Sequence, residues 1–321
     1  MILFVLTIFA LIGGIILITI SSDKAVKHTA HLARALGISS LIIGVTVVSI
    51  GTDLAEILNS LISSYYYHAD IDMGDSLGSI FTQITLIFGL LPILCGMFTV
   101  KRKEVLILGS CEIISLIVLY SVIEKGYFTR INALFVVGSL IIYFLIIYTT
   151  NKDDFIDRAS KFKIKEIERS KKYHTLIASL AFLGVTISAF TIVFSIIYIS
   201  EVLKIPEFII SFFLLSIGTS LPELAVDISA LRRKEHNIAL GDIIGSCIVD
   251  ATLSIGIGQT FFPQSVSADL ALIPIIYTIF ASFIIFLVIF LRKKVDKRAG
   301  ILFIALYFSS YLFVPILYNF L

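Results

Sequence analysis

Two apolar stretches carry the same acidic motif. Residues 49 to 60 read SIGTDLAEILNS and residues 216 to 227 read SIGTSLPELAVD, so Gly51, Thr52, Leu54 and Glu56 match Gly218, Thr219, Leu221 and Glu223 at an offset of 167. The same offset lays GDSLGSIFTQ, residues 74 to 83, on GDIIGSCIVD, residues 241 to 250. Two motifs sharing one register are an internal repeat. On a helix, Thr52 and Glu56 share a face with Asp53 beside them. Asp75, Ser79 and Gln83 form a second polar stripe, and Asp242, Ser246 and Asp250 its counterpart. Carboxylates, hydroxyls and one side-chain amide make an all-oxygen set, which suits hard cations such as Ca²⁺ and Na⁺. It does not suit Zn²⁺ or copper, which favour His or Cys.

These side chains belong to segments that must cross a bilayer. Of the 321 residues, 58% are hydrophobic and 15% charged, with 26 Phe, and the mean hydropathy is +1.03. Such a chain is a polytopic all-α membrane protein and not a soluble domain. Apolar runs give ten predicted helices, near 2–20, 36–66, 71–98, 104–123, 131–149, 174–199, 205–231, 237–262, 269–291 and 299–320. No Lys or Arg lies well inside any of these spans. A carboxylate at the centre of a span costs roughly 3 kcal/mol, and the seven in the repeats together about 20 kcal/mol if charged and unpaired. Those seven are Asp53, Glu56, Asp75, Glu223, Asp227, Asp242 and Asp250. With no cationic side chain to meet them, metal ions or protons must.

Basic residues test the span map. The odd-numbered connections hold 22 of the 25 Lys and Arg and the even-numbered ones hold 3. Ten crossings with both termini outside the cytoplasm follow, in a multi-pass protein of the cell membrane. Five spans separate equivalent positions, so the halves face opposite ways, as two inverted five-helix repeats. That is the plan of transporters whose sites lie at the midplane between repeats. Residues 1–150 form the N-terminal half with its repeat near 44–90, and residues 174–321 the C-terminal half with its repeat near 211–257. The connection 151–173, with eight basic and five acidic residues, reads as a cytoplasmic linker. Residues 1–20 lack a positive flank and a small-residue cleavage site, so they read as a first span.

Several residues draw blander expectations. Cys95, Cys111 and Cys247 stand at no metal spacing and read as reduced packing residues. The five histidines, His28, His31, His68, His174 and His236, fall in connections or at span ends, where they would be solvated. Glu112 has no mate in the other half and reads as structural. For Asp75 and Asp242, nearer the membrane faces, helix capping competes with ion binding. Asp227 reads as a partner of Glu223. Nothing suggests a nucleic-acid partner, a cofactor or an enzyme, and nothing in the pattern asks for a second subunit.

The repeats resemble those of the Ca²⁺/cation antiporter superfamily, especially its sodium/calcium exchanger branch. GTSLPELAVD followed by GDIIGSCIVD is similar to that family's second α-repeat, and GTDLAEILNS with GDSLGSIFTQ looks like a diverged first one. The resemblance implies a ten-helix core and an ion site in which Glu56 and Glu223 bridge calcium, completed by Gln83 and Asp250. It also implies that Thr52, Thr219, Ser220, Ser79 and Ser246 supply oxygens to flanking sodium sites. Two gating helices would slide against an eight-helix core, exchanging several Na⁺, or in other branches H⁺, for one divalent ion.

The departures from the family are Asp53 for Ser, Ala55 for Pro, Gln83 for Asn, and Asp75 and Asp242 for the Asn of each Gly-Asn pair. Asp53 puts a further charge beside Glu56 and a place for a proton, while the missing proline weakens the signal for a helix break in the first half. The Gly-Asn-x-x-Glu pattern of the proton-coupled branch does not occur, so Ca²⁺ for Na⁺ is the expected exchange and H⁺ the alternative driver. A calcium channel could use the same acidic ring without coupling. An intramembrane aspartyl protease would need the Gly-x-Gly-Asp that the chain lacks.

Overall fold

A computed structural model describes residues 2–35, 52–150, 171–232, 234 and 236–318. The first part of the second expected span, 36–51, and most of the 151–173 linker lie outside the described residues. Among the described residues the structure is helical apart from turns and four two-residue strands. Eight helices among the described residues are long and apolar enough to cross a membrane.

We number the helices in chain order: α1 Ile2–Ala35, α2 Leu54–Tyr65, α3 Ala69–Leu94, α4 Arg102–Ile123, α5 Arg130–Thr150, α6 Lys171–Leu203 and α7 Glu207–Arg232. Helix α8 comprises His236–Val249, a π turn at Asp250–Ser254 and Ile255–Phe261; α9 is Ala268–Arg292 and α10 is Lys297–Tyr318.

α1 and α6 overrun the apolar segments that predicted them. At 34 residues α1 is about 51 Å long, well beyond an apolar core of about 30 Å. Hydropathy marks where lipid ends, whereas a helix continues through residues such as Lys24, Ala25 and Lys27, which favour helix as readily in water.

Burial sorts the helices into layers. Within the most apolar windows, 78% of α3 and 83% of α8 is buried, against 17% for α1. α3 and α8 are therefore the inner pair, and the outer helices present their apolar side chains to lipid: Leu3, Leu6 and Phe9 on α1, Leu180, Leu183 and Ile187 on α6, Phe280 and Phe283 on α9. α1 and α6 run side by side, and Leu11, Ile18, Val185, Ala189, Ile192 and Ile196 join Ala55 and Ile62 of α2, Ile71 of α3 and Leu215 of α7 in a second apolar cluster. Small residues set the close approach of α3 to α7. A Cβ on Gly74 or Gly78 would run into the backbone oxygens of Phe208 and Phe212.

Four short strands close the connections. β1 (Phe98–Thr99) pairs antiparallel with β4 (Lys294–Val295), and β2 (Tyr127–Phe128) with β3 (Gln264–Ser265). Adding 167 to β2 gives β4, and adding it to β1 gives 265–266, one residue on from β3.

Candidate functional site

Both acidic motifs sit at helix breaks. Ser220 interrupts α7 with φ −83° and ψ 6°, and Asp53, just ahead of α2, has φ −79° and ψ 12°. The two positions differ by the repeat offset, and both adopt the bridge conformation that stops regular α geometry. In α7 the cause is legible: Pro222 has no N–H to give the carbonyl of Gly218. In the first half Ala55 stands in its place, yet the break is there. The missing proline weakened the sequence signal for a break here, and the bridge conformation at Asp53 forms without it.

The breaks bring the carboxylates together. Asp53, Glu56 and Glu223 each offer an oxygen within 4.8 Å of the others, and all three are fully buried. Neither oxygen of Asp53, neither of Glu223, nor Oε2 of Glu56 receives a hydrogen bond among the described residues. Five buried anionic oxygens without a donor form a pocket of negative potential that a cation or protons must balance.

Around this centre the predicted residues occur as matched pairs. Gln83 Nε2 donates to Asp250 Oδ2 at 3.2 Å, joining the same position of the two halves, as Glu56 and Glu223 also do. Ser254 donates to the other oxygen of Asp250 at 2.9 Å, and the Cys247 thiol to Gln83 Oε1 at 3.3 Å. On one side, the hydroxyls of Ser79 and Thr219 lie 3.2 Å apart and Ser79 donates to Glu56 Oε1 at 3.4 Å. On the other, the hydroxyls of Thr52 and Ser246 lie 3.4 Å apart. The second hydroxyl pair is the first with 167 added to Ser79 and subtracted from Thr219. Ser220 is buried at the break with its hydroxyl unpartnered among the described residues. All ten singled-out residues are buried in this region.

Other expectations are corrected. Asp75 lies in the middle of α3 and caps nothing: Asn59 Nδ2 donates to it at 2.7 Å and Thr219 Oγ1 at 3.0 Å. Asp242 is likewise inside α8 and caps no helix. His174 is buried against His28, their Nδ1 atoms 3.0 Å apart, because the overlong α1 and α6 carry both rings into a helix-helix contact. His68 is only partly exposed and contacts Glu207 at 2.9 Å. Glu112 is buried between α4 and α9 and accepts from Ser282 at 2.8 Å, consistent with a structural role.

Sequence reasoning missed Asn59 and Asp72. Each stands three residues from a singled-out acid, Asn59 after Glu56 and Asp72 before Asp75, which is the signal that could have found them. Asp72 is buried and accepts from Ser76 at 3.3 Å and Gln259 at 3.3 Å.

The comparisons with known proteins bear on this geometry. The sequence pattern of the sodium/calcium exchanger protein family matches residues 6–150 and 173–315. The chain belongs to that family. It is 30% identical to the inner membrane protein YrbG of Escherichia coli strain K12 over 285 residues, which is 84% of this chain and 86% of YrbG. It is 28% identical to the sodium/calcium exchanger MaX1 of Methanosarcina acetivorans, over 80% of this chain and 83% of MaX1. Its fold matches the sodium-calcium exchanger NCX_Mj soaked with 100 mM Na⁺ and 10 mM Sr²⁺, with a TM-score of 0.62 at 27% identity over 97% of this chain and 99% of that one. Membership makes the chain a multi-pass membrane transporter of the antiport type, in a family of exchangers and not of enzymes.

Proposed function

We propose that this protein exchanges Ca²⁺ for Na⁺ by alternating access, with the divalent ion held between Glu56 and Glu223. The observation that carries the reading is the donor-free cluster of Asp53, Glu56 and Glu223, five of whose oxygens have no partner among the described residues. Ca²⁺ takes six to eight oxygens, carboxylates among them, in just such a setting. Asp250 and Gln83 border the cluster. The hydroxyl pairs Ser79–Thr219 and Thr52–Ser246, with Ser220, offer neutral oxygens for the monovalent ions on either side. The names and conditions printed for MaX1 and NCX_Mj point to the same ions.

The pairing pattern supports two inverted repeats and, with the loop charges, ten crossings with both termini outside. Residues at equivalent positions touch only on a two-fold axis, as Gln83 and Asp250 do, and off-axis contacts come in mates, as the hydroxyl pairs do. The strand pairs follow the same relation to within one residue. α1 and α6 are the gating helices of this scheme: they pack side by side, and α1 meets the break where Ile15 packs on Gly218.

The test is uptake of radioactive calcium into liposomes holding the purified protein, with Na⁺ gradients and pH gradients run side by side. Uptake driven by Na⁺, and lost in Glu56→Gln and Glu223→Gln, supports the reading. Uptake driven by pH alone makes H⁺ the counter-ion, and uptake with neither gradient removes the exchanger.

A further inference from the structure

The two halves are not equivalent one helical turn beyond the central cluster. Asp75 and Asp242 hold the same position in the repeat, but their surroundings differ. In the first half Asn59 and Thr219 donate to both oxygens of Asp75. The position matching Asn59 in the second half is Val226, which has nothing to donate, and the position matching Ser60 is Asp227. A donor has been replaced by a second acid.

Both acids are shut away from water. Asp227 is 0% exposed and Asp242 6%, and both oxygens of Asp227 and Oδ2 of Asp242 are without a hydrogen-bond partner among the described residues. Asp227 and Asp242 lie on α7 and α8, which pack against each other. Arg232, the basic residue at the end of α7, is exposed. Three buried carboxylate oxygens on these two helices therefore have no donor among the described residues.

We propose that Asp227 and Asp242 hold a second hard divalent cation, between the central cluster and the α7–α8 connection. A proton shared by the pair would join two oxygens and leave the third unsatisfied in a dry site. A divalent ion engages all three and cancels both charges at once. Asp227 lies four residues past Glu223, about 6 Å along α7, so the second cation would stand one helical turn beyond the central one. The small exposure of Asp242 leaves room for water to complete the coordination. In the proposed topology this is the cytoplasmic side, which makes the site a waiting position for the divalent ion entering or leaving the centre. The proposal does not depend on whether Na⁺ or H⁺ is the counter-ion.

Manganese binding to the purified full chain tests it, because Mn²⁺ is a hard divalent ion visible by electron paramagnetic resonance. We expect two Mn²⁺ per chain, with lines broadened by the neighbouring spin. Asp227→Asn combined with Asp242→Asn should bind one Mn²⁺ with narrow lines, and Glu56→Gln combined with Glu223→Gln should also keep one. The first pair of changes removes orphan carboxylates, so in the presence of chelator that variant should unfold at no lower temperature than the wild type, which verifies its fold. Equal stoichiometry in the wild type and the Asp227/Asp242 variant would overturn the second site, as would loss of all Mn²⁺ in the glutamate variant.

Discussion

Asp75 is held by two donors, and the cost of removing one can be stated. Asn59→Ala leaves Asp75 Oδ2 buried without its 2.7 Å partner, which costs about 1–3 kcal/mol. We expect a lower midpoint of thermal unfolding in detergent, and we expect Asn59→Ala with Asp75→Ala to cost less than the two single changes added together, since the pair is coupled. Additive losses would mean that the contact contributes nothing. Binding at the centre has its own signature. A cation site of carboxylates needs them deprotonated, so acid must weaken calcium binding and alkali strengthen it. A calcium affinity that does not fall between pH 8 and pH 5, measured by equilibrium binding, would count against these carboxylates as ligands.

The acids and hydroxyls were legible in the sequence because a repeat exposes them twice: Glu56 is noticed through Glu223, and Ser79 through Ser246. Asn59 and Asp72 have no polar mates, Val226 and Ala239 standing at the matching positions. Their importance comes from what α3 and α8 bring against them, and a single sequence does not contain that.

At the scale of elements, helix existence was readable and helix length was not. The apolar runs placed every described helix, yet α1 and α6 continue past the lipid boundary. The break at Asp53 likewise forms without a proline. If packing holds it, Ala55→Pro should be tolerated, because the residue sits at the second position of the helix following the break, where Pro222 already sits in α7. We expect unchanged or slightly raised stability and retained exchange; a misfolded Ala55→Pro protein would show that the two breaks are not equivalent.

The start of α10 gives a second test. Asp296 accepts from the Ala299 N–H at 3.0 Å and pairs with Arg292 at 2.5 Å and Lys294 at 3.9 Å. The Ala299 N–H is the main cause, with Arg292 and Lys294 assisting, of a carboxyl held below its ordinary range. A carboxyl with a lowered native pKa stabilises the fold above its unfolded value, near 3.9, and loses that contribution as the pH falls through the native value. Asp296→Asn should therefore lower the unfolding midpoint at pH 7, and the gap to wild type should close as the pH drops below about 4. A gap that persists in acid would assign the effect to something other than the charge.

For the whole molecule, the relation between the α1–α6 pair and the remaining helices decides whether this is a transporter or a sealed bundle. The pair packs on the rest through an apolar cluster that includes Ala55, Ile71 and Leu215, presents its outer faces to lipid and touches the site through Ile15 on Gly218 and Thr19 Oγ1, 3.5 Å from the Gly218 carbonyl. Gly218 lies beside the break at Ser220, so the gating helix rests on the interrupted turn of α7. A rigid contact there would tie α1 to the ion site, whereas a sliding contact lets one face open while the other closes. Cysteines at Ile15 and Gly218, in a background with Cys95, Cys111 and Cys247 replaced, can be joined by a short reversible cross-linker. We expect the cross-linked protein to bind calcium with little change in affinity and to lose exchange, with exchange restored by reduction. Exchange at the full rate in the cross-linked state would mean that α1 does not move against α7, and alternating access would have to be assigned to another pair of helices.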